Sequence, residues 1–145
     1  MTTTDTDNID RFNKHASEAF AILYASFPLG CSLCPEHFDV PQDGHGSVSD
    51  DDAEFVSSTI RWLQEEGYVR SQTSTFDGSF HGAVLTGKGL AVMKLIPDAL
   101  SNPAPLGEQI QSAVKTGATV AAKSLLNAAL DAGIKYTMTR AGLPT

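Results

Sequence analysis

The chain is poor in cysteine, in tryptophan and, most tellingly, in basic residues. Two cysteines among 145 residues cannot build a disulfide scaffold, so the fold must rest on a packed apolar core. Ten Lys and Arg stand against seventeen Asp and Glu, a net charge of −7 that opposes any broad phosphate-binding surface. No apolar run approaches the roughly 20 residues of a spanning helix, so no transmembrane segment is expected. Met1 to Asp7 are polar, with neither the basic stretch nor the apolar centre of a secretory signal. A cytoplasmic location is the expectation.

What the chain does have is an ordinary globular balance, 41% hydrophobic and 19% charged, and length enough for one real core. The charge is unevenly spread. From Met1 to Asp52 ten acids face Arg11 and Lys14, which leaves −8. From Ala53 to Leu100 the balance is −1, and from Ser101 to Thr145 it is +2. The front repels phosphate and the tail mildly attracts it.

Apolar periodicity predicts a first helix over Ile9 to Phe27, with Ile9, Phe12, Ala16, Ala19, Phe20, Leu23 and Phe27 on one stripe. Pro28 and Gly30 end it. Cys31 to Gly46 reads as irregular, apart from one helical turn at Pro35 to Phe38. A second helix opens at Ser49 or Asp50 as cap, with Asp51, Asp52 and Glu54 complementing its dipole. Gly67 closes it as a left-handed terminal glycine. Tyr68 to Phe76 and Ser79 to Leu85 are predicted strands joined at Asp77-Gly78, and Thr86 caps a short helix to about Ile96. Residues 99–106, rich in proline and polar residues, read as a linker. Beyond it, 107–138 is predicted as one long alanine-rich helix.

The resulting fold class is mainly α with a small β-hairpin, in the order of a winged helix-turn-helix domain over 8–98 followed by the C-terminal helix. Two stretches resemble the winged-helix superfamily residue by residue. Thr59-Ile60-Arg61-Trp62-Leu63-Gln64-Glu65-Glu66-Gly67-Tyr68-Val69 is similar to a recognition helix entering the first wing strand. Leu85-Thr86-Gly87-Lys88-Gly89-Leu90 resembles the L-T-x-x-G turn after the wing in bacterial regulators of the multidrug-resistance and phenolic-acid repressor types. The resemblance implies a regulatory protein that is no enzyme, with transcriptional control as the leading use. It places Ser57 and Ser58 at base edges, and Arg61, Gln64, Arg70 and Lys88 around the groove and wing. The charges pull the other way. The helix opens on Asp50, Asp51, Asp52 and Glu54, and Ser71 to Gly82 contains no Lys or Arg. An acidic module that binds an unidentified protein partner on the same scaffold is therefore the alternative.

Catalytic and metal chemistry find little support. Cys31-Ser32-Leu33-Cys34, with His37 and His45 following, holds zinc-ligand types at a spacing that matches no zinc motif. Pro35 stands where haem attachment needs histidine, and the pair follows a helix rather than a strand of a βαβ unit. No metal and no cofactor are expected. Consecutive acids at Asp50 to Asp52 point in different directions and cannot converge on one ion. His15 and His81 lack a nucleophile and orienting acid at triad spacing, and Trp62 is expected in the core.

The tail supplies the partner expectation. Ile110, Val114, Gly117, Ala121, Leu125 and Ile134 form a stripe of small and aliphatic residues suited to close helix pairing. Such a stripe either pairs with a second copy, giving a homodimer, or folds back on its own domain. With the linker separating two units, a chain ending near Asp98 is expected to stay folded and to lose self-association.

Overall fold

A computed structural model describes residues 5–95 and 104–140. Five helices and a small antiparallel sheet make it mostly helical. Helix α1 spans Asp5–Ser26 and buries Ala16, Ala19, Phe20 and Leu23 completely. The ends of the expected stripe, Ile9 and Phe27, stay exposed. Strand β1, Cys31–Leu33, follows, then a 3-10 turn at Pro35–His37. Helix α2, Asp50–Glu65, begins with Ser49, whose hydroxyl oxygen accepts the Asp52 amide at 3.2 Å. Val56, Ile60 and Leu63 form its buried face, one per turn, as the periodicity requires.

Strands β2 (Val69–Arg70), β3 (Thr73–Ser74) and β4 (Phe80–Leu85) complete the sheet. β4 is central, with β1 antiparallel on one side and the β2–β3 arm on the other. The β1 strand falls in Cys31 to Gly46, a stretch whose sequence reads as irregular. Three residues carry too weak a pattern to read alone, and Cys31 and Leu33 extend only because Ala83 and Phe80 stand opposite them. The hairpin turn rests on one glycine and one carboxylate. Only Gly78 takes a positive φ, and Asp77 instead accepts the Ser79 amide on its carboxylate at 3.1 Å.

Helix α3, Gly87–Lys94, is capped by Thr86, which accepts the Gly89 amide and donates its hydroxyl to the Gly67 carbonyl. Residues 99–103 of the predicted linker lie outside the described residues, and Leu106, its last residue, already belongs to the next helix. The predicted single helix 107–138 is two helices, α4 (Leu106–Thr116) and α5 (Thr119–Arg140). Gly117 breaks it. It adopts φ +72° and donates its amide to the Val114 carbonyl, a left-handed termination that a side chain would strain. Alanine-rich flanks hide such a break, because both halves have high helix propensity.

Neither half stands apart from the rest. Leu106, Ile110, Leu125, Leu126 and Ala129 share one core with Phe20, Leu23, Ile60 and Leu85. α1 presents Ser17, Ala21 and Tyr24, spaced four and three apart, to the C-terminal helices. The Ser17 hydroxyl points at the Ala122 carbonyl, the Ala21 carbonyl accepts from Gln111, and the Tyr24 ring lies where a side chain at Gly107 would stand. Among the described residues, no helix is long and apolar enough to cross a membrane.

Tyr68 ties α5 to the sheet. Its ring packs edge-on to Phe20 at 5.7 Å, and its hydroxyl donates to the Leu130 carbonyl at 3.3 Å. Burial, with Glu66 and Asp131 adding negative charge nearby, pushes the phenol up to about 12 from 10. A raised folded-state value means the fold holds the proton more tightly than the unfolded chain does. The stabilisation is therefore complete below pH 10 and is lost as pH rises towards 12. Urea midpoints of the native chain and Tyr68→Phe should keep a constant gap below pH 10. That gap should shrink by roughly 1–2 kcal/mol on going to pH 12, once solvent screening is allowed for. A gap that does not change with pH would contradict the assignment.

Candidate functional site

The outer face of α2 and the hairpin beside it form the most distinctive surface. Gly78 brings the hairpin turn down on α2, where a side chain at that glycine would meet Ser57 Cβ at 3.3 Å and the Ala53 carbonyl at 3.5 Å. The turn therefore lies along the first half of α2 rather than projecting from it. Phe80, at the start of β4, sits with the Arg61 guanidinium 5.8 Å from its ring centroid.

This packing sorts the residues expected at a DNA groove. Ser57 is buried under the hairpin turn and cannot reach a base edge, which corrects its expected role. The 3.6-residue period put Ser57 and Ser58 side by side, and only contact with the hairpin decides which of them is covered. Gln64 is half-buried, and its side-chain carbonyl accepts the Ser71 hydroxyl at 2.7 Å. Lys88 lies on the Tyr68 ring and donates to the Glu66 carbonyl at 2.8 Å. There it works as a cation at the C-terminus of α2. Ser58, Arg61 and Arg70 remain exposed.

Around them the surface is acidic. Asp50, Asp51, Glu54, Glu65 and Glu66 are exposed, and Glu54, Ser58, Arg61 and Glu65 run along one ridge at helical spacing. Arg11 of α1 reaches Asp52 at 3.2 Å and stacks over Phe55 at 4.0 Å. No cation of the described residues pairs with Asp50, Asp51 or Glu54. At the hairpin tip, the Thr75 hydroxyl and the Ser79 amide donate to Asp77 and hold its carboxyl below the usual value, so it stays charged. Beside it Phe76 is fully exposed. Sequence reasoning passed over Phe76, and the available signal was an aromatic adjacent to a hairpin turn, where no core position falls. Trp62, expected in the core, is 39% exposed and packs edge-on against Phe12 at 5.2 Å.

The residues expected to pair two copies are placed differently from one another. Ile110 and Leu125 are buried in the chain's own core, and Val114 is half-buried. Gly117 forms the α4–α5 turn, while Ala121 and Ile134 are exposed. Of the two alternatives left open for the tail, folding back is what the structure has. Ile110 and Leu125 are thereby occupied within the chain's own core, while Ala121 and Ile134 face outward.

The cysteines lie in the sheet and at its exit. Cys31 pairs with Ala83 across β1 and β4, Cys34 precedes the 3-10 turn, and both are free, half-buried thiols. His37 and His45 are exposed. Among the described residues, no group of three or more His, Cys, Asp or Glu is placed to hold a metal. His15 is buried and bonds Glu18 at 2.8 Å, and Glu18 also accepts the Asp39 amide at 2.9 Å. That chain fixes the loop after the 3-10 turn onto α1. Comparison with protein-family models, curated proteins and solved structures finds no match.

Proposed function

We propose that the chain is a non-catalytic, winged-helix-like regulatory module that meets a basic protein partner through the outer face of α2 and the adjoining wing. The observation that carries this is the exposed carboxylate set Asp50, Asp51 and Glu54, unpaired among the described residues, on the helix against which the hairpin carrying the exposed Phe76 packs. The strand–helix order and the Thr86–Gly89 turn support the winged-helix assignment. Nucleic acid is the weaker occupant. A duplex needs several phosphates neutralised, and this face offers Arg61 and Arg70 among a surplus of acids. A basic partner gains steering from the same charges, and an aromatic anchor supplies the desolvated contact that charges alone do not.

The test uses a short peptide alternating lysine and leucine as the probe. Asp50→Asn/Asp51→Asn/Glu54→Gln should weaken its binding by about tenfold at low salt and flatten the salt dependence. Phe76→Ala should weaken binding at every salt concentration without changing that slope. Helix content by circular dichroism checks that α2 survives the loss of its N-terminal charge, a loss of roughly 0.3–1 kcal/mol per residue. Unchanged affinity in the triple variant, with α2 intact, would remove this face from the interaction.

A further inference from the structure

We infer that the cleft between α1 and the α4–α5 turn is a binding site for a small uncharged molecule with an apolar body and one hydrogen-bond acceptor. The cleft holds about 610 Å³, within the range of small-molecule sites. Ala113, Val114, Ala118, Val120 and Ala122 give it an apolar wall, and α1 supplies the opposite side. Asn13 on that side is only 4% exposed, and its Nδ2 has no hydrogen-bond partner among the described residues. A buried amide N–H without a partner is uncommon in a folded protein and calls for an acceptor.

The neighbouring groups have partners of their own. Ser17, one turn along, donates its hydroxyl to the Asn13 backbone carbonyl at 2.7 Å, with the Ala122 carbonyl at 3.4 Å. Each charged group of the cleft already has a counterpart. Lys14 pairs with Asp39 at 2.9 Å, Lys123 with Asp10 at 3.0 Å, Arg11 with Asp52 and Glu18 with His15. A charged ligand would compete with these contacts, whereas a neutral one leaves all of them in place. A ketone or amide oxygen would accept from Asn13 while the rest of the molecule lies on the alanine and valine wall.

Three probes of similar size and different chemistry test this on the full chain: acetophenone, ethylbenzene and benzoate. Amide and side-chain NMR shifts should saturate with acetophenone, with the Asn13 side-chain amide and the Ala118 and Val120 backbone amides moving together. Ethylbenzene and benzoate should bind about tenfold more weakly, one lacking the acceptor and the other carrying a charge. Asn13→Leu should abolish the preference for acetophenone over ethylbenzene. Ala118→Phe, at an exposed position of the wall, should block all three probes while the fold is retained. Absence of a saturable shift with acetophenone would overturn the inference. So would equal affinity for the three probes, or a preference that persists in Asn13→Leu.

Discussion

Ending the chain after Leu95 should leave a protein without a cooperative unfolding transition. Such a chain loses Leu106, Ile110, Leu125 and Leu126 from the core, all of them nearly or fully buried. Full burial of a large aliphatic side chain contributes roughly 1.5–3 kcal/mol, so these four alone supply about 6–12 kcal/mol. That equals the net stability of a typical small domain, about 5–15 kcal/mol. The truncation would also uncover Tyr68 and the α1 face carrying Ser17, Ala21 and Tyr24. The expected product is aggregated, or loosely helical with exposed apolar surface, by near-ultraviolet circular dichroism and dye binding. The proline-rich composition of the linker suggests the opposite outcome, since it looks like a boundary between two units. A sharp transition in the truncated chain, close to that of the full one, would restore that view.

Gly89→Ala should be among the most damaging single methyl additions in the protein. A Cβ at that position would strike the Tyr68 backbone carbonyl, which also accepts the Thr86 amide at 3.0 Å. A backbone oxygen inside a strand–helix junction cannot swing aside as a side-chain tip can. Overpacking at a rigid site costs about 3 kcal/mol or more, so the urea midpoint should fall with little change in slope. Gly87→Ala, two residues earlier, is the matched control. A Cβ there meets nothing within 4 Å, and the change should be neutral or stabilising by up to about 1 kcal/mol through helix propensity. Equal effects at the two glycines would mean that α3 does not sit on the Tyr68 carbonyl.

The same pair shows what was legible in the sequence. The Leu85-Thr86-Gly87-Lys88-Gly89 turn stands out as a motif, and its cap and helix lie where the residues indicate. Which of its glycines is indispensable depends on the Tyr68 carbonyl, 21 residues earlier in the chain, and no local pattern reports that. α2 was legible throughout, from the Ser49 cap to the left-handed Gly67, because cap, dipole, periodicity and terminal glycine all agree. The C-terminal break was not. Gly117 is one glycine among strong helix formers, and its left-handed turn is settled by α4 and α5 both packing on α1. The acidic face was legible as charge, but its shape was not. Periodicity cannot tell Ser57 from Ser58 until the hairpin turn settles over one of them. Asn13, His15 and Ser17, beside the apolar stripe of α1, are the polar groups that this helix carries into a buried place.

On the proposed function, the face formed by α2 and the hairpin prefers a basic protein surface to nucleic acid. Fluorescence anisotropy of the full chain tests it directly, with a mixed-sequence DNA duplex and the lysine–leucine peptide titrated side by side from ~50 mM salt upward. The expected result is saturable peptide binding that weakens with salt, and no duplex binding even at the lowest salt. Duplex binding that falls steeply with salt, with Arg61→Ala and Arg70→Ala each weakening it, would contradict the claim and make the face a nucleic-acid reader.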